Sequence, residues 1–331
     1  MSRAVVIHAF GHPSTFALEP RPIEMPGAGR IAVRIHAAGI SFVDVLVAAG
    51  EYQLKPPLPF VPGSEFSGVI TAVGEGVDPA RIGERVLCSA FGAAIAEDAI
   101  IPAKLALPIP ADMDFAEAAV FRVSYATAYY ALVQRGNLKP GETVLVLGAG
   151  GAVGYAAVEV AKALGATVIG SASTEAKRAL ATRAGANRTI DARSATWRED
   201  VKAANGGRPV DVVIDPVGGA ATELAFRSLA WNGRLLVIGF AGGSIAKLPV
   251  NLALLKGASL IGVDVRQFGE YEPELAKANV DALFGLYEAG HLHPPIAKTY
   301  TLDQFVAAMV EARSGETAGR IVLNMRDGVT L

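Results

Sequence analysis

Seven residues, Gly148-Ala-Gly-Gly-Ala-Val-Gly154, constrain this chain more than any other stretch. Just before them, Thr143-Val-Leu-Val-Leu147 is an apolar, β-branched run that suits a strand buried on both faces of a parallel sheet. Just after them, positions 153–164 are small or apolar apart from Tyr155, Glu159 and Lys162. That pattern predicts a helix lying close on the sheet. A second apolar strand, Ala166-Thr-Val-Ile-Gly170, follows Gly165. Strand, glycine-rich turn, helix and strand in about thirty residues make a βαβ unit.

Glycines at such a turn let the backbone bend sharply and approach a pyrophosphate with no Cβ in the way. The helix that follows offers unpaired N–H groups and a partial positive charge to the anion. The spacing is Gly148-x-x-Gly151-x-x-Gly154 with Gly150 inside it, one residue longer than G-x-G-x-x-G. Its place between a predicted strand and a predicted helix gives it weight. Residues Gly148, Ala149, Gly150, Gly151, Ala152, Val153 and Gly154 are therefore expected to bind a dinucleotide.

The chain has 331 residues, 51% of them hydrophobic and 19% charged, enough for two domains with large cores. Its net charge of -2 and its lack of a basic block point away from nucleic acid. The single cysteine, Cys88, excludes an intramolecular disulfide and suits a small buried side chain at a strand end. Met1-Ser-Arg-Ala-Val-Val-Ile-His8 lacks a signal-peptide core, and Glu159 and Lys162 interrupt the most apolar stretch. The expectation is a soluble cytoplasmic protein with no membrane partner.

Taken in order, residues 3–8 and 15–20 suggest a hairpin, and 29–39 a half-exposed strand. Residues 41–49 have helical spacing with Ser41 as N-cap. Four prolines between Pro56 and Pro62 make a stiff loop. Strands at 68–73, 84–87 and 96–101 complete a β-rich, partly closed barrel. From 143 onward, strands at 143–147, 167–171, 188–190, 210–214, 234–239 and 259–263 alternate with helical stretches, which predicts a doubly wound parallel sheet of six strands. Helices near 274–289 and from 302, and a strand at 320–324, close the chain. The final segment is small for a domain of its own, so it is expected to rejoin the first. This gives a catalytic domain of residues 1–123 and 266–331 with a dinucleotide domain, 124–265, inserted into it.

This order of parts resembles the medium-chain dehydrogenase/reductase superfamily, and within it the zinc-free quinone oxidoreductase branch of zeta-crystallin type. The matching strings are Ala37-Ala-Gly-Ile-Ser-Phe-Val-Asp44, Gly50-Glu-Tyr52, Pro59-Phe-Val-Pro-Gly-Ser-Glu-Phe-Ser-Gly68, Thr127-Ala-Tyr-Tyr-Ala-Leu132, 148–154, Asp211-Val-Val-Ile-Asp-Pro-Val-Gly-Gly219, Gly233-Arg-Leu-Leu-Val-Ile-Gly239 and Gly319-Arg-Ile-Val-Leu323. They cover essentially the whole chain. The resemblance implies a Rossmann α/β fold inserted into a GroES-like barrel, and a homodimer joined through its Rossmann domains. It implies no zinc, since the Gly-His-Glu of zinc-dependent relatives is here Gly63-Ser64-Glu65. The residues say the same: one Cys and five scattered His offer no ligand cluster, and His291 and His293 stand at a Pro-Pro turn.

An NAD site usually ends its second strand in an acid that accepts from the ribose 2′-hydroxyl. Here Ser171, Ser173 and Thr174 are followed by Lys177 and Arg178, a set suited to the 2′-phosphate of NADPH. The resemblance assigns that phosphate to Ser173 and Lys177. Many relatives carry Asn-Tyr-Arg after the third strand. This chain has Asp191-Ala192-Arg193, which retains the cation but adds a negative charge. Lys177 and Arg193 suit either the phosphate or an ordinary solvated surface.

The same resemblance sets Thr127, Val217, Gly239, Phe240, Ala241, Val263, Asp264, Val265 and Arg320 at the cofactor. The nicotinamide is expected past the strand ends, near the cleft between domains. Hydride delivery leaves charge on an oxygen of the acceptor, so a proton donor is needed. Tyr52 and Ser41 are the catalytic candidates: Ser41 stands where many relatives have Asn, and a tyrosine like Tyr52 is implicated as donor in related enoyl reductases. Tyr52 and Phe240 suit plain packing as well, and Asp44 suits a structural acid. Arg122, in an otherwise apolar run, either meets a partner carboxylate or contacts an anionic ligand. The expected activity is hydride transfer from NADPH to a quinone. The alternatives are reduction of the C=C bond of a conjugated carbonyl or thioester, and a cofactor-binding protein without catalysis.

Overall fold

The glycine-rich stretch folds as its pattern requires, and the strands around it build the larger of two frameworks. In the computed structural model, which describes residues 1–325, the strands run in this order. The first seven are β1 (Ser2–Val6), β2 (Ala17–Arg21), β3 (Arg30–Ile40), β4 (Glu65–Val73), β5 (Arg85–Ser89), β6 (Asp98–Pro102) and β7 (Ala106–Pro108). Then come β8 (Thr143–Leu147), β9 (Thr167–Ala172), β10 (Arg188–Asp191), β11 (Val210–Asp215), β12 (Leu229–Val237) and β13 (Ser259–Gly262). The last are β14 (Ile296–Thr301) and β15 (Arg320–Asn324). These elements divide into two compact units, one of Met1–Val123 with the chain from Pro294 onward, the other of Ser124–His293.

In the first unit β1 and β2 pair antiparallel, as the hairpin pattern suggests. A separate sheet has the order β14-β15-β3-β4-β5-β7, with β6 also paired to β3. Its core packs Ile31, Val33 and Ile35 of β3 against Phe66 and Ile70 of β4 and Val86 of β5. Helix α1 (Phe42–Ala49) begins at Ser41, whose side chain caps it, and helix α2 (Phe115–Ala118) lies against β3 and β4. The sheet is longer than the sequence pattern suggests. Strand β14, parallel to β15, and the three-residue β7 are additional to it.

The second unit carries the six-stranded parallel sheet, in the order β10-β9-β8-β11-β12-β13. The order reverses between β8 and β11, which sets a crevice at their carboxyl ends. Helix α3 (Arg122–Tyr130) leads in and ends in a π-helical turn over Ala131–Arg135. Helices α4 (Ala152–Ala163), α5 (Glu175–Arg183), α6 (Trp197–Ala204), α7 (Ala220–Arg227) and α8 (Asn251–Lys256) make the crossovers. Two more, α9 (Val265–Tyr271) and α10 (Pro273–Glu288), follow β13. Helix α11 (Phe305–Ser314) belongs to the first unit.

The chain thus leaves the second unit at His293, not at 265 as the change of texture suggests. The physical reason is packing. Phe268 of α9 stacks on Tyr130 with ring centroids 4.0 Å apart, and Asn279 of α10 exchanges two hydrogen bonds with Gln134, at 2.7 and 3.1 Å. Among the described residues no helix is long and apolar enough to cross a membrane.

Candidate functional site

The glycines of the turn each have a steric reason. Gly148 has φ +60°, and a Cβ built there would meet Val217 at 3.1 Å. At Gly154 a Cβ would lie 2.1 Å from the Gly148 carbonyl oxygen, and at Gly150 it would lie 2.5 Å from the Lys177 Cβ. So the turn is folded tightly on itself and against the start of α5. Gly151 is the N-cap of α4, and no side chain caps that helix end. Its first-turn N–H groups, from Ala152, Val153 and Gly154, therefore point along the helix axis toward whatever sits on the turn. Ala149 is fully buried beneath it and donates its N–H to the Ser171 carbonyl at 3.0 Å.

The neighbouring loops are tied to one another. Asp215 closes β11, is 1% exposed, and accepts from the N–H groups of Val217 (2.9 Å) and Gly218 (2.8 Å) and from the Thr222 hydroxyl (2.6 Å). This buried carboxylate shapes the 216–219 turn. Its signal in the sequence is the Asp-Pro-x-Gly-Gly string after a strand. The loop after β12 is laced to that turn: Ala241 N–H donates to the Pro216 carbonyl at 3.1 Å and Gly242 N–H to the Val217 carbonyl at 2.8 Å. Gly239 N–H reaches the Asp215 carbonyl at 3.4 Å. Phe240 packs on Gly218 and is 44% exposed.

Phe240 also lines a cavity of about 500 Å³ with Tyr130, Arg135, Val263, Asp264 and Phe268. Val263 is buried and bonded to Val237. The Asp264 carboxylate is used as the cap of α9, accepting from the N–H groups of Arg266 and Gln267, and Val265 is the first residue of that helix. Arg135 donates to the Gly262 carbonyl at 2.9 Å. Thr127 is buried within α3. A continuous track results: Lys177 beside Gly150, Gly148 beside Val217, Gly218 beside Phe240, and Phe240 on the cavity wall.

At the other end of the track the three hydroxyls at the end of β9 and just beyond it separate by role. Ser171 is buried and accepts from the Trp197 indole N–H at 2.9 Å. Thr174 caps α5 by accepting from Lys177 N–H. Ser173 stands between them, half-buried. Arg193 is exposed, and its backbone N–H is held by Asp191 at 2.9 Å.

In the first unit, Ser41 and Asp44 form a capping box. The Ser41 hydroxyl donates to Asp44 at 2.7 Å, and Asp44 N–H donates back to the Ser41 oxygen at 3.1 Å. Asp44 also accepts from the Ser64 hydroxyl at 2.7 Å and is 5% exposed, so it is a buried structural acid. The Ser41 proton is therefore engaged within the helix cap, which weakens Ser41 as a donor to a substrate. Tyr52 lies half-buried in the loop that leads to the prolines.

Arg320, expected at a cofactor, is 5% exposed and pairs with buried Glu65 at 3.4 Å. Burial raises the Glu65 pKa, while Arg320 and a hydrogen bond from Val123 N–H (2.7 Å) oppose the rise. Arg122 donates to the Leu105 carbonyl at 3.1 Å. Burial lowers its pKa, and the charge of Glu65 works against that. Its partners are thus a carbonyl and the field of a carboxylate. Cys88 is buried in β5, with its thiol pushed up to about 12 by burial.

Comparison with known proteins adds to this geometry. Residues 27–111 match the family model described as the alcohol dehydrogenase GroES-like domain, and residues 152–279 the one described as zinc-binding dehydrogenase. The chain is 35% identical to a quinone oxidoreductase-like protein 2 homolog of Nematostella vectensis, over 98% of this chain and 89% of that one. It is similar to the structure of a probable oxidoreductase from Mycobacterium abscessus (34% identity, TM-score 0.89, 98% of this chain and 99% of that one). It is also similar to that of a mycobacterial protein complexed with NADPH (29% identity, TM-score 0.89, 98% of this chain and 100% of that one). The zinc in the second model's description does not fit the residues here. No group of three His, Cys, Asp or Glu that could hold a metal occurs among the described residues, and Ser64 offers a hydroxyl already donated to Asp44.

Proposed function

Since this chain belongs to the zinc-free quinone oxidoreductase branch of the medium-chain dehydrogenase/reductase superfamily, we propose that it is an NADPH-dependent oxidoreductase that reduces a quinone. The observation that carries the proposal is the continuous track from Lys177 through Gly150, Gly148 and Val217 to Phe240 and its cavity. It follows the carboxyl ends of the strands from one side of the sheet's switch point to the other, the course an extended dinucleotide takes.

NADPH, when bound, supplies the hydride. Lys177 and Ser173, with Arg193, hold the 2′-phosphate, and the 148–154 turn and the first turn of α4 hold the pyrophosphate. The backbone at 239–241 and 263–265, with Thr127 and Val217, would hold the carboxamide and so would fix which ring face is offered. Tyr52 donates the proton that the reduced acceptor needs. Ser41 shapes the pocket and caps α1, since its own proton is engaged by Asp44. Glu65 keeps Arg320 buried as a counter-ion, which gives Arg320 a structural role.

The protein acts as a homodimer through the β13 edge of the six-stranded sheet. Strand β13 ends that sheet, and Leu260 on it is 50% exposed, with Leu254 and Leu255 shortly before it in the chain and Trp231 on β12 still more exposed. Sedimentation of the purified protein tests this.

The activity test follows loss of NADPH absorbance with a quinone and, in parallel, with a simple enone, a metal chelator being present in both. Turnover of the quinone is expected. Turnover of the enone alone would move the protein to the alkene reductases. No turnover of either, with NADPH still bound, would leave a binding protein.

A further inference from the structure

Asp191 closes β10, one strand away from β9 and its hydroxyls, where a bare carboxylate would repel a 2′-phosphate. A phosphomonoester carries a charge of about −1.5 to −2 near neutral pH. Yet both Asp191 oxygens are already engaged. Oδ2 pairs with the Arg178 guanidinium at 3.1 Å, and Oδ1 accepts from Arg193 N–H at 2.9 Å. Arg178 is itself fixed, because the same nitrogen donates to the Ala172 carbonyl at 3.1 Å. Asp191 and Ala172 are register partners at the ends of β10 and β9. The guanidinium therefore bridges the two strand ends and directly follows Lys177 in the chain. The Arg178 side chain is 24% exposed and that of Asp191 44%, so the pair is held by geometry and partly screened by solvent.

We propose that Arg178 is a specificity-determining residue for the 2′-phosphate, and that it acts by neutralising Asp191. This rests on the NADPH reading above. With one oxygen paired to a guanidinium and the other to a backbone N–H, Asp191 is a weakened acceptor for a ribose 2′-hydroxyl. With its charge matched, it does not repel the phosphate. Arg178 thus acts through Asp191 and not through contact with the phosphate, which is left to Lys177 and Ser173.

The test is a set of binding titrations on the intact protein, read from nucleotide fluorescence with NADPH and with NADH and independent of turnover. Arg178→Ala is expected to raise the Kd for NADPH roughly tenfold by uncovering a nearby like charge, and to leave the Kd for NADH within about twofold. Adding Asp191→Asn to that variant is expected to restore the NADPH value to within about twofold of the wild type. If the double variant stays as weak as Arg178→Ala, Arg178 contacts the phosphate itself and the inference is overturned. It is overturned equally if Arg178→Ala leaves NADPH binding unchanged, or weakens NADH and NADPH alike. A wild-type protein that binds both nucleotides equally would remove the NADPH reading first, before any variant is made.

Discussion

Tyr125 donates its phenolic hydrogen to Oε2 of Glu159 at 2.5 Å, with both side chains buried. The same carboxylate accepts from the Tyr155 hydroxyl at 3.1 Å and from the His293 N–H, 3.1 Å from each oxygen. Burial raises the Glu159 pKa and outweighs these bonds, and it raises the Tyr155 pKa as well. A buried acid that satisfies three donors is costly to charge and costlier to remove.

Replacing Glu159 by Ala is therefore expected to lower stability by about 3 kcal/mol, because two phenols and an N–H lose their acceptor. Glu159→Gln keeps the shape and one acceptor oxygen, turns an amide NH2 toward one of the two phenols, and removes the charge. A carboxyl whose folded pKa is raised contributes stability below its unfolded value, and loses it as pH rises through the folded value. The Gln variant should thus gain on the wild type as pH rises. Denaturant melts from the ordinary carboxylate range upward in pH check both the size and the sign.

Gly154→Ala should damage both fold and binding. Its Cβ would stand 2.1 Å from the Gly148 carbonyl oxygen, a backbone atom that cannot swing away. A loss of ~2 kcal/mol or more in stability is expected, together with weaker NADPH binding. Gly27→Ala, outside the dinucleotide unit and with nothing within 4 Å of the added carbon, is the control for the same substitution without the clash.

Ser41 and Tyr52 should separate by measurement. Ser41→Ala removes a helix cap and is expected to cost about 1 kcal/mol of stability, with kcat little changed. Tyr52→Phe is expected to lower kcat by 10²-fold or more, in the range of a lost proton donor, and to leave the melting temperature alone. The reverse pattern would exchange the two roles.

Lys177→Ala should raise the Kd for NADPH roughly tenfold and leave NADH nearly unaffected, since only the former carries the 2′-phosphate. Gly150 gives this prediction its geometry: the Lys177 stem rests where the glycine lacks a side chain. Equal losses for the two nucleotides would remove Lys177 from the phosphate site.

The elements most legible in the sequence are those whose pattern is strong and local. The β8 run and the Ser41 cap lie within a few residues, and both have one physical reading. Strand β14 escaped because it is an edge, with Ala297, Lys298 and Thr299 exposed, and because its partner β15 lies across an intervening helix. Helix α9 contains Gly269 in seven residues, and its start depends on the Asp264 cap more than on periodicity. At the site, the glycine turn is legible because backbone sterics act along the chain. The pairing of Arg178 with Asp191 is not, because it joins the ends of two adjacent strands through a helix between them. Nor does the pattern of 320–324 tell that Arg320 is spent on Glu65, distant in the chain.

Tyr125 and His293 bear on the topology of the polypeptide itself. One lies just inside the point where the chain enters the second unit and the other is its last residue, yet both hydrogen-bond to the same carboxylate. The two ends of that unit are therefore tied to one group inside it, no further apart than a tyrosine side chain and two hydrogen bonds can span. A short linker could join them directly, and new termini could be opened at an exposed turn such as Gly206-Gly207, where no added side chain would meet a neighbour. In this sense the dinucleotide-binding unit is a closed ring of chain, suited to circular permutation or to transfer into another host as a cassette.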